Sequence, residues 1–248
     1  QAAANLRSGK ADSIVYRYKQ ADFDAIPGSP WVYWITRGIR LIFGSHPKLA
    51  EIARTHCGMT TSDNFRYLRY WWEVGIEQIN RSSLTRLTAK DSRSRWFPYM
   101  KGGGFQRWYG KQSHIVNWFK DGIEIRNSPS FPRAADRYFN RGVTWTEMGT
   151  GRFSARISPG GFIFDVKGSC SFPEDPLAML AILNSSFSHY ALNLLNPTVS
   201  KQVGDVARIP VPKIIDNKIN KLALQAIEIC SKECQSDEST FDFRMPKH

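Results

Sequence analysis

Between Val143 and Lys167, three short apolar runs, "VTWTEM", "FSARI" and "FIFDVK", are separated by "GTGR" and "SPGG". Runs this short, rich in Val, Ile, Phe and Trp and punctuated by glycine, make strands joined by tight turns. From Asp175 the pattern changes. "PLAMLAILNSSFSHYALNLL" predicts a helical stretch, and beyond Pro212 the residues Ile219, Leu222, Ala223, Ala226, Ile227 and Cys230 keep the i, i+3, i+4, i+7 stripe of one amphipathic helix. Strands followed by helices predict an α+β fold: a twisted, mixed or antiparallel sheet with flanking helices and a C-terminal helix.

The amino-terminal third fits that class. In "IPGSPWVYWITRGIRLIFGSH", Ser29 is a good N-cap and Pro30 suits a first helical position, while Trp31, Trp34, Ile35, Ile39 and Ile42 follow helical spacing until Gly44. "EIARTHCGM" and "FRYLRYWWEV" predict strands on either side of "TTSDN". "HIVNWFKDGIEIR" carries Asp121-Gly122 between apolar runs, the signature of a hairpin. Residues 1–24 show no periodicity and are expected to be a connector. The main domain is expected over 25–212 and a helical segment over 213–248.

Composition limits the function classes. With 248 residues, 42% of them hydrophobic, the chain can bury a substantial core. The longest uncharged runs, 176–188 and 189–200, are too short and too interrupted to cross a bilayer, so no membrane segment is expected. The first residue is Gln rather than Met, so the chain reads as a piece of something longer. Cys57, Cys170, Cys230 and Cys234 form no CxxC pair, which suits a reducing cytoplasm. The formal charge of +12 points to a polyanionic partner. It is concentrated: residues 81–120 hold nine Lys or Arg against one acid, Asp91.

No catalytic set assembles. There is no GxSxG, HExxH, Walker loop or GxGxxG, and histidines 46, 56, 114, 189 and 248 are scattered without ligand spacing. "FDVK" is the one nuclease-like fragment, since Asp165 and Lys167 could hold a magnesium ion and polarise a water. Without a second acid it reads more simply as a strand-end pair.

The stretch "RSRWFPYMKGGGFQRWYGK", Arg93 to Lys111, packs six aromatics, three consecutive glycines and five cations into nineteen positions with no acid. Gly102, Gly103 and Gly104 would let backbone approach a phosphate, Lys101 and Arg107 would neutralise it, and Phe105, Trp108 and Tyr109 offer stacking faces. The alternative is that the aromatics pack under a sheet while the cations solvate its edge. A second constellation is "GMTTSDNFRYLR", where Thr60, Thr61, Asn64, Arg66 and Arg69 supply groups that bind phosphate and base edges. Its plainer reading is an Asx turn at Asp63 and Asn64. A third is "GTGRFSARISPGG", with Thr150, Arg152 and Arg156.

In order, "IPGSPWVYW", "GMTTSDNFRYLRYWWEV", "WFPYMKGGGFQRWYG", "VNWFKDGIEIRN", "GVTWTEMGTGRFSARISPGGFIFDVKGS" and "LNPTVSKQVGDVARIPVP" resemble the C-terminal part of PglX-type adenine-specific DNA methyltransferases of BREX phage-defence systems. They resemble type IIG restriction-modification enzymes more loosely, and "LNSSFSHYALNLL…QVGDVARIPVP" is similar to the end of a target-recognition domain in type I specificity subunits. The resemblance covers nearly all of residues 25–243. It implies that 25–212 is a DNA target-recognition domain, with Gln202 in the last block joining the DNA-contacting residues. S-adenosylmethionine and the Asn-Pro-Pro-Tyr-like catalytic motif are expected in an amino-terminal half absent from this chain. "LNPT" at 195–198 lacks the second proline and the aromatic, so the chain itself is expected to be non-catalytic and to hold no cofactor or metal. The expected partners are double-stranded DNA, the catalytic region, other defence-system subunits and acidic phage DNA mimics. The runners-up are a magnesium-dependent nuclease using Asp165 and Lys167, and a module binding an acidic protein.

Overall fold

The computed structural model describes residues 2–9, 19, 24, 26–28, 32–130, 132–212 and 216–244. The expected cap at Ser29, with Pro30 and Trp31, lies outside the described residues, as does most of the expected connector, within which α1 (Ala2–Arg7) is helical. The helix expected from Pro30 begins later, as α2 (Arg37–Ser45), where the Thr36 hydroxyl accepts a hydrogen bond from the Ile39 amide. After it come α3 (Leu49–Ile52), β1 (Thr55–His56), α4 (Asn64–Tyr67), β2 (Leu68–Tyr70), α5 (Arg86–Asp91), β3 (Trp96–Met100), β4 (His114–Asn117) and α6 (Phe119–Arg126). The glycine-punctuated middle forms β5 (Gly142–Trp145), β6 (Ala155–Ser158), β7 (Ile163–Phe164) and β8 (Cys170–Ser171). The helical part is α7 (Pro176–Leu183), α8 (Ser186–Leu195), α9 (Val203–Ala207) and α10 (Asn217–Ser236).

The strands form two four-stranded sheets, so the fold is α+β with a mixed and an antiparallel sheet and a C-terminal helix. One runs β1-β8-β5-β6 and is antiparallel throughout. The other runs β2-β4-β3-β7 and is mixed, because β3 pairs with β7 in parallel while its other pairs are antiparallel. Alternation along β5 and β6 explains the layers. Val143, Trp145, Ala155 and Ile157 form one face and pack with Met179, Leu180 and Leu183 of α7. The paired row Cys170, Thr144 and Arg156 faces the other way, and Cys170 belongs to the core built from Phe97, Tyr99, Trp118, Tyr138 and Phe164.

Several local expectations are corrected. Asp121-Gly122 does not make a hairpin: Lys120, Asp121 and Gly122 all lie in the left-handed region (φ 48°, 62° and 70°), but the chain continues as the end of α6. The dipeptide has the positive φ values its sequence favours. Burial of Ile125 and capture of the Asp121 carboxylate by Arg86 and Arg126 override the strand that should follow. "FRYLRYWWEV" is a strand only over Leu68–Tyr70, because Asp63 caps a helical turn by accepting from the Arg66 amide at 2.9 Å. "EIARTHCGM" contributes only Thr55–His56 to a strand. In α10 the buried positions are Ala223 and Cys234, and Leu222 of the expected stripe is 63% exposed.

Candidate nucleic-acid interface

The glycine loop leaves β3 beside the end of β7, and the parallel pairing of those strands sets its chemistry. The Asp165 amide donates to the Met100 carbonyl at 3.0 Å, which puts Lys101 and Asp165 side by side. Lys101 Nζ lies 2.6 Å from Asp165 Oδ2, the Tyr99 hydroxyl donates to the same oxygen at 2.7 Å, and the Lys167 amide donates to Oδ1 at 2.7 Å. Asp165 is 1% exposed, so every partner it needs is internal. Burial, then the neighbouring carboxylate, push the Tyr99 hydroxyl well above its ordinary pKa. Lys167 Nζ pairs instead with Glu147 at 2.8 Å. Both oxygens of Asp165 are therefore engaged, and among the described residues no group of three His, Cys, Asp or Glu is arranged to hold a metal.

Lys101 also reaches backwards. Its Nζ is 3.3 Å from Asn64 Oδ1, which accepts from the hydroxyl of the buried Thr61 as well. Further along, the Gly104 carbonyl accepts from Thr146 Oγ1 at 2.8 Å. The loop thus ties the turn before β2 to the loop after β5. Its glycines have distinct reasons. A Cβ on Gly102 (φ 83°) would lie 2.4 Å from the Lys167 carbonyl oxygen, whereas one on Gly103 (φ 83°) would meet nothing within 4 Å. Gly102 permits close backbone packing; Gly103 faces open space.

A cavity flanks the loop on each side. One of about 570 Å³ is lined by Asn64, Phe65, Arg69, Tyr70, Lys101 and His114. The other, about 270 Å³, is lined by Gly104, Phe105, Thr146, Glu147, Thr150 and Arg152, with Val199 and Lys201. Phe65 is 91% exposed, and the rings of Tyr70 and Trp72 stack at 4.6 Å. Burial, then the charge of Lys101, lower the pKa of His114, so the imidazole is held neutral at physiological pH.

The structure divides the residues singled out from sequence. Thr60, Asn64, Arg66, Gly103, Thr150, Arg152 and Gln202 are exposed, and Lys101 and Arg69 are partly so. Arg66 reaches Glu124 at 3.4 Å, and Arg69 donates to the carbonyls of Phe65 and Leu68 at 2.6 Å each. Gln202 opens α9 beside Lys201, whose amide donates to the Glu147 carbonyl at 2.7 Å. Thr61 and Gly102 are buried and act through their neighbours.

Arg107, Trp108 and Tyr109 are half-buried, and each is bonded within the fold. Arg107 donates to the Asn184 carbonyl at 2.6 Å, where α7 ends, and burial lowers its pKa. Trp108 exchanges backbone hydrogen bonds with Ala155 (2.9 Å) and Ile157 (2.8 Å), and its ring packs with the α7 core. The Tyr109 hydroxyl donates to Asp242 at 2.6 Å, and burial, then that carboxylate, raise its pKa. Arg156 is 0% exposed and bonds Thr146 Oγ1 at 3.0 Å from behind; burial lowers its pKa to about 10. Each of these four side chains or its backbone has a partner within the fold, which their aromatic and cationic character in the sequence does not reveal. Sequence reasoning missed Phe65 and Glu147: no local pattern marks either, because their surroundings are set by contacts distant in sequence, the β3–β7 pairing that places Lys101 near Asn64 and the bonds of Glu147 to Lys167 and Ser200.

Two curated proteins match almost the whole chain. The adenine-specific methyltransferase PglX of Lacticaseibacillus casei (strain Zhang) is 35% identical over 243 residues, 93% of this chain and 20% of its own length. The adenine-specific methyltransferase BrxX of Escherichia coli O9:H4 (strain HS) is 37% identical over 234 residues, 92% of this chain and 18% of its own. The chain is homologous to part of the PglX-type adenine-specific methyltransferases. It spans about a fifth of the length of these curated relatives, and no family model matches it. The PglX-type match takes in all three loops described above. Among the described residues no helix is long and apolar enough to cross a membrane.

Proposed function

We propose that this chain is the DNA target-recognition part of a site-specific adenine-N6 methyltransferase acting in phage defence. On this reading S-adenosylmethionine binding and methyl transfer belong to the remainder of the PglX-type protein. The partner is double-stranded DNA, and the chain's work is to choose and register the sequence. The observation that carries the reading is the convergence of three loops distant in sequence, 60–69, 101–105 and 146–152, through the Lys101–Asn64 and Thr146–Gly104 hydrogen bonds. Together they present an amide, hydroxyls, arginines and open glycine backbone, the groups that contact phosphates and base edges.

Exposed residues whose side chains make no hydrogen bond or ion pair among the described residues give the sharpest test. Arg152→Ala and Thr60→Ala in the full-length protein should keep the melting temperature. They should reduce methylation of the native motif or relax it at one or two positions, as read by methylome sequencing. Unchanged methylation at the same motif in both variants would remove these loops from the interface.

A further inference from the structure

The concentrated charge of residues 81–120 is only partly used by the surface described above. Beside α4, across the Arg66–Glu124 pair, a cavity of about 1020 Å³ opens between the end of α5 and α6. It is lined by Lys90, Arg93, Phe119, Lys120, Ile123 and Arg126, and the one acid on its wall is Asp121. That acid is spent: it is 7% exposed and held by Arg86 through two 2.7 Å hydrogen bonds and by Arg126. Lys90, Arg93 and Lys120 are left facing the cavity with no ion pair among the described residues.

Backbone geometry adds an independent observation. Arg93 (φ 54°) and Lys120 (φ 48°) both sit in the left-handed region, which glycine adopts freely and an L side chain adopts only at a cost. Two long cations are thus kept, at the same cavity, where the backbone alone would favour glycine. Three of the eight non-glycine residues with positive φ among the described residues, Arg93, Lys120 and Asp121, line this one cavity, and backbone held in such conformations is a pointer to function.

We propose that this cradle grips the sugar-phosphate backbone of duplex DNA, with Arg93 and Lys120 as the phosphate contacts and Lys90 supporting them. The site lies on a track that runs through Arg66 to Asn64 and Lys101. The proposal rests on the recognition reading and adds to it a sequence-independent anchor away from the glycine loop. Asp121 serves as an internal counter-ion that fixes the turn from which Lys120 projects.

The test uses the full-length protein and the double variant Arg93→Gly/Lys120→Gly, which removes two charges while relieving two left-handed side chains. Its melting temperature should therefore hold or rise, so lost binding cannot be laid to unfolding. Duplex affinity measured over a sodium chloride series should show a log–log slope shallower by about 2, since each phosphate contact contributes about 0.9. The weakening should be the same on duplexes of unrelated sequence. A wild-type protein that binds duplex, with an unchanged slope in the variant, overturns the cradle and leaves the recognition reading standing. A wild-type protein with no duplex affinity overturns both. Inorganic tripolyphosphate is the second arm: if it stabilises the wild type and not the variant while duplex binding is unaffected, the cradle belongs to a free polyphosphate and the DNA assignment fails.

Discussion

The two halves of the Lys101–Tyr109 stretch have similar chemistry and opposite fates. Lys101 to Phe105 lies between two cavities with Gly103 in open space, whereas Arg107 to Tyr109 is bolted to Asn184, Ala155, Ile157 and Asp242. Composition does not separate them. What separates them is the presence of a partner on the far side: the carbonyl at the end of α7, the edge of β6 and the segment after α10. A basic aromatic loop is therefore best divided by asking which of its polar atoms the fold already satisfies.

The largest effect that would break this comparison is on stability. Trp108→Ala should cost about 2 to 4 kcal/mol, because its ring fills space beside α7 and is only partly solvated; thermal or denaturant unfolding measures it. Arg107→Ala should follow at about 1 to 3 kcal/mol, since the Asn184 carbonyl loses its charged donor. If either variant kept its stability and lost only DNA affinity, the inner half would have to be moved to the interface.

Acid titration sharpens the account of α5 and α6. Burial alone would raise the pKa of Asp121, but Arg86 and Arg126 together outweigh it and hold the pKa below the ordinary value. A carboxylate depressed in the folded state contributes stability that is complete above its unfolded pKa, about 3.9, and is lost as pH falls through the folded value. Asp121→Asn should therefore lower the melting temperature at neutral pH and flatten its fall below about pH 4.

A smaller effect is expected from the histidines. His56, His114 and His189 all have lowered pKa values, with burial as the leading cause. Protonation thus favours the unfolded chain, so stability should be full above about pH 6.5 and decline modestly as pH drops below it. Calorimetry between neutral and mildly acidic pH tests this, and His114→Gln should remove part of the decline.

Much of the fold was legible where the signal is local. The turns at "GTGR" and "SPGG" bound β5, β6 and β7, and the periodic stretch after Pro212 became α10. The triple glycine marked a loop whose backbone does approach another chain segment closely. What was not legible depends on pairings distant in sequence. The parallel β3–β7 contact brings Asp165 of "FDVK" to Lys101 and buries its carboxylate, a partner that no local pattern in the sequence shows. Arg156 was grouped with Thr150 and Arg152 in one constellation, but strand alternation and the register Thr144↔Arg156 put it inside. At Asp121-Gly122 the local conformation was right and the continuation wrong, because burial of Ile125 and two arginines decided the next turn.

The central claim is that the outer half of the glycine loop meets DNA, and Gly103 tests it most directly. Its position is open and left-handed, a conformation that Asn and Asp tolerate better than other side chains. Gly103→Asn and Gly103→Asp have nearly the same shape and differ by one charge, so both should melt together. In the full-length protein at low salt, Gly103→Asp should bind duplex at least about tenfold more weakly than Gly103→Asn, with the gap closing as salt rises. Equal affinity of the two variants across the salt series would contradict the account.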